Sequence, residues 1–124
     1  MTMRIAFSTD DNIFLKQERF GDSKQFRIVT IHNDVVTSTE LRINPFADPA
    51  TENKPMKILS LLNDCDIFVG RSWRAGSFTM FTKNGKTVFL SHGENLDVIV
   101  SSILRHDLSS LKKFDSEEQK FIPA

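Results

Sequence analysis

Short apolar runs along the chain predict three parallel strands. Residues 3–9, 66–70 and 87–90 are mostly apolar, and each run passes into glycine or polar residues. Such runs are typical of strands that are buried on both faces of a sheet. Helical patterns precede the second and third runs, which requires crossover connections. We therefore expect the three strands to be parallel neighbours in one sheet.

A hairpin is predicted beside the first strand. Residues 24–31 and 35–43 are apolar-rich runs on either side of a polar connection that contains Asn33-Asp34. Asparagine and aspartate tolerate the backbone conformations of tight turns, so the two runs are expected to pair. The segment 44–49 holds two prolines and is predicted to be a loop.

Helical spacing of apolar residues predicts three helices. The first spans about 53–63, and the second follows residue 70 and ends at Asn84-Gly85. Ser91 and Glu94 are expected to form a capping box before the third. The second and third helices bury stripes formed by Ala75, Phe78 and Phe81, and by Leu96, Ile99, Val100, Ile103 and Leu104.

These elements predict an α/β fold with a mixed five-stranded sheet and helices on both faces, of the ribonuclease-H-like kind. At 124 residues the chain has the length of one domain. We assign residues 1–108 to this single domain. Residues 109–124 are left as a C-terminal tail, either flexible or ordered.

Composition limits which kinds of partner, and which cellular compartment, we expect for this chain. Lys and Arg together number 16, as do Asp and Glu, so no global field favours nucleic acid or an anionic membrane. No apolar run reaches the ~20 residues of a membrane helix, and the start lacks a secretory pattern, so we expect a cytoplasmic protein. The single cysteine, Cys65, excludes an internal disulfide and a Cys-only metal site within one chain.

The loops after the three parallel strands predict a ligand site. They are residues 8–12, 70–76 and 91–94, and ligands bind at this edge of such sheets. Arg71 and Arg74 flank an expected helix start and Arg19 could reach the same edge, which favours an anion: an organic acid, a phosphate or an anionic metal–sulfur cluster. The alternative is that these arginines are solvated or pair with Asp10 and Asp11.

Three single residues have two interpretations each. Trp73 could cover a ligand, or it could be a packing or interface residue. Cys65 could bind soft metals, but its position at the start of a strand favours a buried core thiol. His92 lies on the expected pocket edge and is a candidate nitrogen ligand or proton-switch residue, whereas His32 and His106 are expected to be structural.

Several fragments, in this order and spacing, resemble the dinitrogenase iron–molybdenum cofactor biosynthesis family over roughly residues 3–105. The fragments are MRIAFSTDDN, RFGDSKQF, RINPF, LLNDCDIFVGRSWRAGSF and NGKTVFL. The resemblance implies a small ribonuclease-H-like domain that binds or carries the iron–molybdenum cofactor or an iron–sulfur or molybdenum precursor, and that is not an enzyme. The expected cofactor-binding residues are Thr9, Asp10, Arg19, Gly21, Gly70, Arg71, Ser72, Trp73, Arg74 and His92, and no metal ligand is assigned.

The chain departs from the family pattern at two places. Arg19-Phe20-Gly21 stands where many members have His-Phe-Gly, which replaces a possible imidazole ligand with a cation. The segment 70–76 is bulkier and more basic than the glycine-rich turn of many members. Direct metal ligation near Arg19 is therefore not expected, and the pocket should differ in shape.

Two alternatives to a cofactor carrier remain. One is a protein-interaction or regulatory module whose pocket has decayed, for which arginine and tryptophan are suitable interface residues. The other is a metal-dependent nuclease, which needs carboxylates that converge on central strands. Asp10 and Asp11 end the first strand, but Asp64 and Asp66 lie at the far end of the central strand, so the nuclease is disfavoured.

Overall fold

The computed structural model describes residues 1–74 and 76–124. Within these residues, seven strands form one mixed sheet. The strand order is β3-β2-β1-β4-β5-β6-β7. The strands are β1 (Thr2–Thr9), β2 (Gln25–His32), β3 (Val35–Ile43), β4 (Ile67–Gly70), β5 (Thr87–Ser91), β6 (Leu111–Asp115) and β7 (Lys120–Pro123). β1, β4 and β5 are parallel neighbours, as predicted, and the remaining pairs are antiparallel. The α/β class and the mixed sheet are thus confirmed.

The prediction of five strands is wrong, because the segment 109–124 contributes β6 and β7 to the sheet. β6 has no simple alternation: its buried residues, Leu111 and Phe114, are three apart and enter different hydrophobic clusters. Two exposed lysines separate them. A short, charged strand of this kind gives little period-two signal, which is why the sequence pattern missed it.

The hairpin of β2 and β3 is confirmed. Asn33 and Asp34 connect the strands and both have positive φ angles, 49° and 66°. A two-residue connection with both residues in this region matches the right-handed twist of the paired strands. β3 is the edge strand on this side of the sheet.

Three helices cover the sheet: α1 (Lys54–Leu61), α2 (Ser77–Lys83) and α3 (Leu96–Leu104). The predicted capping box at Ser91 and Glu94 is wrong. Ser91 is the last residue of β5, and Asn95 caps α3 by accepting a hydrogen bond from the Val98 N–H at 3.1 Å. Ala75, which we expected on the buried face of the second helix, lies outside the described residues.

Alternation along the strands produces two hydrophobic clusters. Ala6 and Phe68 contribute to the cluster that contains residues of α1 and α2, whereas Phe7 and Val69, one position along, contribute to the cluster that contains residues of α3. The helices therefore lie on both faces of the sheet, as predicted. Within the described residues, no helix has the length and apolar character needed to cross a membrane.

Candidate functional site

A narrow pocket lies beside the carboxyl end of β4. Its interior is about 30 Å³, which is space for about two water molecules. The residues that matter most for its shape and charge are Arg19, Phe20, Gly21, Asp22, Lys54, Trp73, Arg74, Ser77 and Phe81. They come from the segment before β2, from the start of α1, and from β4 through α2, so the pocket depends on tertiary packing.

Two aromatic rings form one wall of the pocket. Phe20 and Trp73 stack with their centroids 4.5 Å apart and an angle of 16° between their planes. The backbone fixes this stack, because the Phe20 N–H donates to the Ser72 carbonyl at 3.0 Å. The Trp73 indole N–H donates to the Phe89 carbonyl at 3.2 Å. Trp73 is therefore half-buried and packed within the chain, in a position next to any ligand of the pocket.

Gly70 permits the close approach of the two rings. A Cβ atom at this position would lie 3.1 Å from Phe20 and 3.2 Å from Trp73. Both distances are shorter than ordinary carbon–carbon contacts. Gly70 is therefore important for the shape of the site, although it is not among the lining residues.

A buried ion pair contributes to the pocket. Lys54 is 6% exposed, and its Nζ atom donates to Asp22 Oδ1 at 2.5 Å and to the Ala47 carbonyl at 3.3 Å. Gly21 leaves room for the lysine stem, because a Cβ atom there would lie 3.0 Å from Lys54 Cδ. Sequence reasoning missed both charged residues. The signal in the sequence was Lys54 itself, a cation in the first turn of α1. The helix dipole disfavours a cation at this position unless a carboxylate lies near it.

Positive charge predominates in the pocket lining. Arg19, Lys54 and Arg74 are its cations and Asp22 is its acid. Asp22 is paired with Lys54. Among residues 1–74 and 76–124, no carboxylate forms a salt bridge with Arg19 or Arg74. Both arginines are exposed. The lining can therefore bind an anion through charge and hydrogen bonds.

The structure brings together only part of the expected residue set. Arg19, Gly21, Trp73 and Arg74 line the pocket, and Ser72 pairs with Arg19 as an isolated parallel bridge. Ser77, at the beginning of α2, completes the lining, and its hydroxyl donates to the Arg74 carbonyl at 2.7 Å.

Arg71 and His92 do not line this pocket. Arg71 forms a salt bridge with Glu94, with 3.1 Å between Nη1 and Oε1. The alternative interpretation expected it to pair with Asp10 and Asp11. This bridge joins the loop after β4 to the loop after β5. His92 is exposed, and its backbone N–H donates to the Ser110 carbonyl at 2.9 Å.

Thr9 and Asp10 stabilise the loop after β1 instead of lining the pocket. The Thr9 hydroxyl donates to the Phe14 carbonyl at 2.7 Å and accepts from the Asn12 N–H at 3.0 Å. Asp10 accepts from Lys16 Nζ at 2.7 Å and from the Lys24 N–H at 2.9 Å. Burial raises the pKa of Asp10, but these hydrogen bonds outweigh it and leave the pKa below its ordinary value.

The loop after β1 folds toward the loop after β5. The Leu15 N–H donates to the Glu94 carbonyl at 2.7 Å, and the Leu96 N–H donates to the Ile13 carbonyl at 2.9 Å. Asp11 accepts from the backbone N–H groups of Phe14 and Ile13, which lowers its pKa. These bonds join the loop after β1 to the loop after β5.

Cys65 is a buried core residue. It belongs to the same hydrophobic cluster as Phe68, and burial raises the pKa of its thiol to about 12. The thiol is therefore protonated at neutral pH and is a poor metal ligand. Within the described part of the chain, no group of three or more His, Cys, Asp or Glu side chains is placed to hold a metal ion. Among the described residues that line the pocket, none is a cysteine or a histidine.

Comparison with known proteins identifies the family. The family model described as dinitrogenase iron-molybdenum cofactor matches residues 1–105. No curated protein sequence matches the chain significantly.

Three similar solved structures support the same fold. A crystal structure of a protein proposed to be a dinitrogenase, from Methanocaldococcus jannaschii, has a TM-score of 0.67 and 22% identity, over 91% of this chain and 95% of that one. An NMR structure of a protein proposed to be NifB, from Thermotoga, has a TM-score of 0.67 and 16% identity, over 90% and 93% of the two chains. The apo form of the orange protein from Desulfovibrio gigas has a TM-score of 0.70 and 15% identity, over 85% and 89%. The chain thus belongs to the dinitrogenase iron-molybdenum cofactor family.

Proposed function

We propose that this chain is a binding or carrier domain for an anionic cofactor or small molecule, which binds at the pocket formed by Arg19, Lys54, Trp73 and Arg74. The single observation that carries the proposal is that three cations and one paired acid line this pocket. The carboxyl end of a parallel strand is also the place where α/β sheets bind ligands.

The family supports the iron–molybdenum cofactor, or an anionic iron–sulfur or molybdenum precursor, as the ligand. The lining offers guanidinium and ammonium groups but no thiolate or imidazole. Such a cluster would therefore be held by charge and hydrogen bonds, with its metal ions keeping their own sulfur or oxygen ligands. Arg19 fits this mode of binding because a guanidinium donates hydrogen bonds but does not coordinate metals.

A ligand larger than about two water molecules fits entirely inside the pocket only if the pocket widens. Its interior is about 30 Å³, and the Trp73 ring forms part of its wall. We expect Trp73 to move away from Phe20 when the ligand enters. Since Trp73 is the only tryptophan and the chain has no tyrosine, intrinsic fluorescence reports on this side chain alone.

Anaerobic purification followed by iron, molybdenum and sulfide analysis tests the proposal. We expect the wild-type chain, exposed to anionic metal–sulfur clusters, to retain metal and gain a visible absorption band. The Arg19→Gln/Arg74→Gln double variant should lose both. Arg105→Gln, an exposed arginine at the end of α3, is the matched control and should behave as wild type. A wild type that stays metal-free and colourless after this exposure contradicts the carrier role.

A further inference from the structure

A second pocket lies on the other face of the sheet, at the end where β1 and β4 begin. Its volume is about 430 Å³, within the range of small-molecule sites. Ile5 and Ile31 form its floor and are only 1% and 2% exposed. Half-buried apolar side chains form its walls, on β1, β4, β5 and α3: Met3, Ile67, Phe89 and Ile103.

Within the described residues, α3 is the helix that packs on this face, and the pocket lies beside its C-terminal end. Ile103 and Leu108 approach the sheet from α3 and from the segment that follows it. The hairpin turn closes another side through Asp34. The His106 Nε2 atom lies 3.1 Å from Asp34 Oδ1, so this contact joins the hairpin turn to the end of α3. One apolar space is thus surrounded by four strands, α3, the hairpin turn and the segment that follows α3.

The charges at the mouth do not select an ion. Asp34 is the carboxylate among the lining residues, and its Oδ1 atom is already in contact with the His106 Nε2 atom. The other lining side chains are apolar, apart from the Asn33 amide. This lining differs from the excess of cations in the pocket beside Trp73.

We infer that this second pocket is a binding site for an uncharged, largely apolar small molecule. The apolar floor and walls supply the binding free energy through burial of the ligand's surface. The polar groups at the mouth can accept or donate one or two hydrogen bonds to a polar end of the ligand. The site is separate from the anion pocket and does not depend on the proposed function.

A pair of fluorescent probes with the same ring skeleton tests this inference. N-phenyl-1-naphthylamine is uncharged, and 1-anilinonaphthalene-8-sulfonate carries one negative charge on that skeleton. The wild-type chain should bind the uncharged probe saturably at one site, with a blue shift of its emission. In the Arg19→Gln/Arg74→Gln chain, which lacks the arginines of the anion pocket, the sulfonate should bind at least about tenfold more weakly than the uncharged probe, because its charge must be desolvated in an apolar pocket.

Substitutions on the same helix provide the structural control. Ile103→Phe fills the pocket and should weaken binding of the uncharged probe by about tenfold or more. Val98→Phe adds a similar ring on the exposed side of α3 and should leave the affinity within about twofold of wild type. If Ile103→Phe does not fold, Leu108→Phe takes its place, and methyl NMR of the wild type should show probe-induced shifts at Ile31 and Ile67 but not at Ile58.

Several results would overturn the inference. They are the absence of saturable binding by the wild type, unchanged affinity in a folded Ile103→Phe chain, and tighter binding of the sulfonate than of the uncharged probe by the Arg19→Gln/Arg74→Gln chain, which lacks the arginines of the anion pocket. Methyl shifts confined to Ile58 and Leu62, on the opposite face, would do the same. The Arg19→Gln/Arg74→Gln variant should keep full affinity for the uncharged probe. Failure of the inference about the apolar pocket is therefore distinguishable from failure of the proposed anion site.

Discussion

The Lys54 ammonium group lies 2.5 Å from the Asp22 carboxylate inside the pocket, and the two side chains are 7% and 18% exposed. Removal of either partner leaves the other charge buried without compensation. We expect Lys54→Met and Asp22→Asn each to lower the free energy of unfolding by about 2–4 kcal/mol. The double variant should lose clearly less than the sum. Urea unfolding of the four chains of this double-mutant cycle measures the coupling.

The control for this cycle is Lys83→Met, which changes an exposed lysine at the end of α2. It should change the free energy of unfolding by no more than about 0.5 kcal/mol. Additive losses at Lys54 and Asp22 would mean that the pair has no coupling and that the buried contact is not important for stability.

Gly70 should not tolerate even a methyl group without movement of the aromatic stack. Gly70→Ala places a Cβ atom 3.1 Å from Phe20 and 3.2 Å from Trp73. We expect a loss of about 1–2 kcal/mol and a changed Trp73 emission spectrum. Gly93→Ala is the matched control, because its Cβ atom would make an ordinary 3.5 Å contact with Ile99. Equal stability and identical emission of the two variants would contradict the tight approach at Gly70.

Asp64 should make stability depend on pH in the acid range. Arg42 donates to both carboxylate oxygens of Asp64, at 2.8 and 3.0 Å, and this lowers the Asp64 pKa to about 2 from an ordinary value of 3.8. Because the folded pKa is the lower one, the unfolded chain binds more protons between these values, and stability falls as the pH drops from about 4 to 2.

The comparison of wild type with Asp64→Asn isolates this contribution. The Asp64 side chain is 43% exposed, so solvent screening limits the effect to about 1 kcal/mol. We expect the wild type to be more stable than the variant at pH 5, and the difference to shrink as the pH falls toward 2 and to vanish below it. A difference that is constant over this range, measured by urea unfolding, would show that the ion pair does not titrate as inferred.

The C-terminal strands should contribute measurably to stability. Phe121 in β7 packs against Phe78 and Phe114, with ring centroids 5.6 and 5.4 Å away. Because Phe121 is half-buried, we expect Phe121→Ala to lower the free energy of unfolding by about 1–2 kcal/mol. Glu118→Ala, an exposed position in the preceding turn, is the control. Loss of the same small amount in both variants would mean that β7 does not pack as described.

Local patterns predicted the elements whose signals lie within one segment. The run Asp66–Gly70 predicted β4, and Asn33-Asp34 predicted the turn between β2 and β3. In each case the periodicity or the turn residues specify the local structure over a few neighbouring residues. Tertiary packing is compatible with that local structure, so the prediction from the sequence is correct. The position of Cys65 at the start of the predicted strand, and the usual burial of unpaired cysteine, predicted its place in the core.

The pairings that shape the site could not be read from local patterns. Asp22 and Lys54 are 32 positions apart and meet only after α1 packs beside the segment before β2. Asp10 follows β1 as expected, but its bonds to Lys16 and Lys24 hold it in its own loop. Proximity to the carboxyl end of a strand therefore predicted the edge of the sheet at which a pocket lies, but not which of the expected side chains line that pocket.

Calorimetric titration with molybdate, a small anion that needs no protein ligand to its metal, tests the anion pocket most directly. The wild-type chain should bind one molybdate, with a change in Trp73 fluorescence. Arg19→Gln/Arg74→Gln should weaken binding by about tenfold or more, because each lost charge-assisted hydrogen bond contributes about 1 kcal/mol or more. Arg105→Gln should leave the affinity unchanged. No binding by the wild type, or equal binding by the double variant, would contradict an anion site at this pocket.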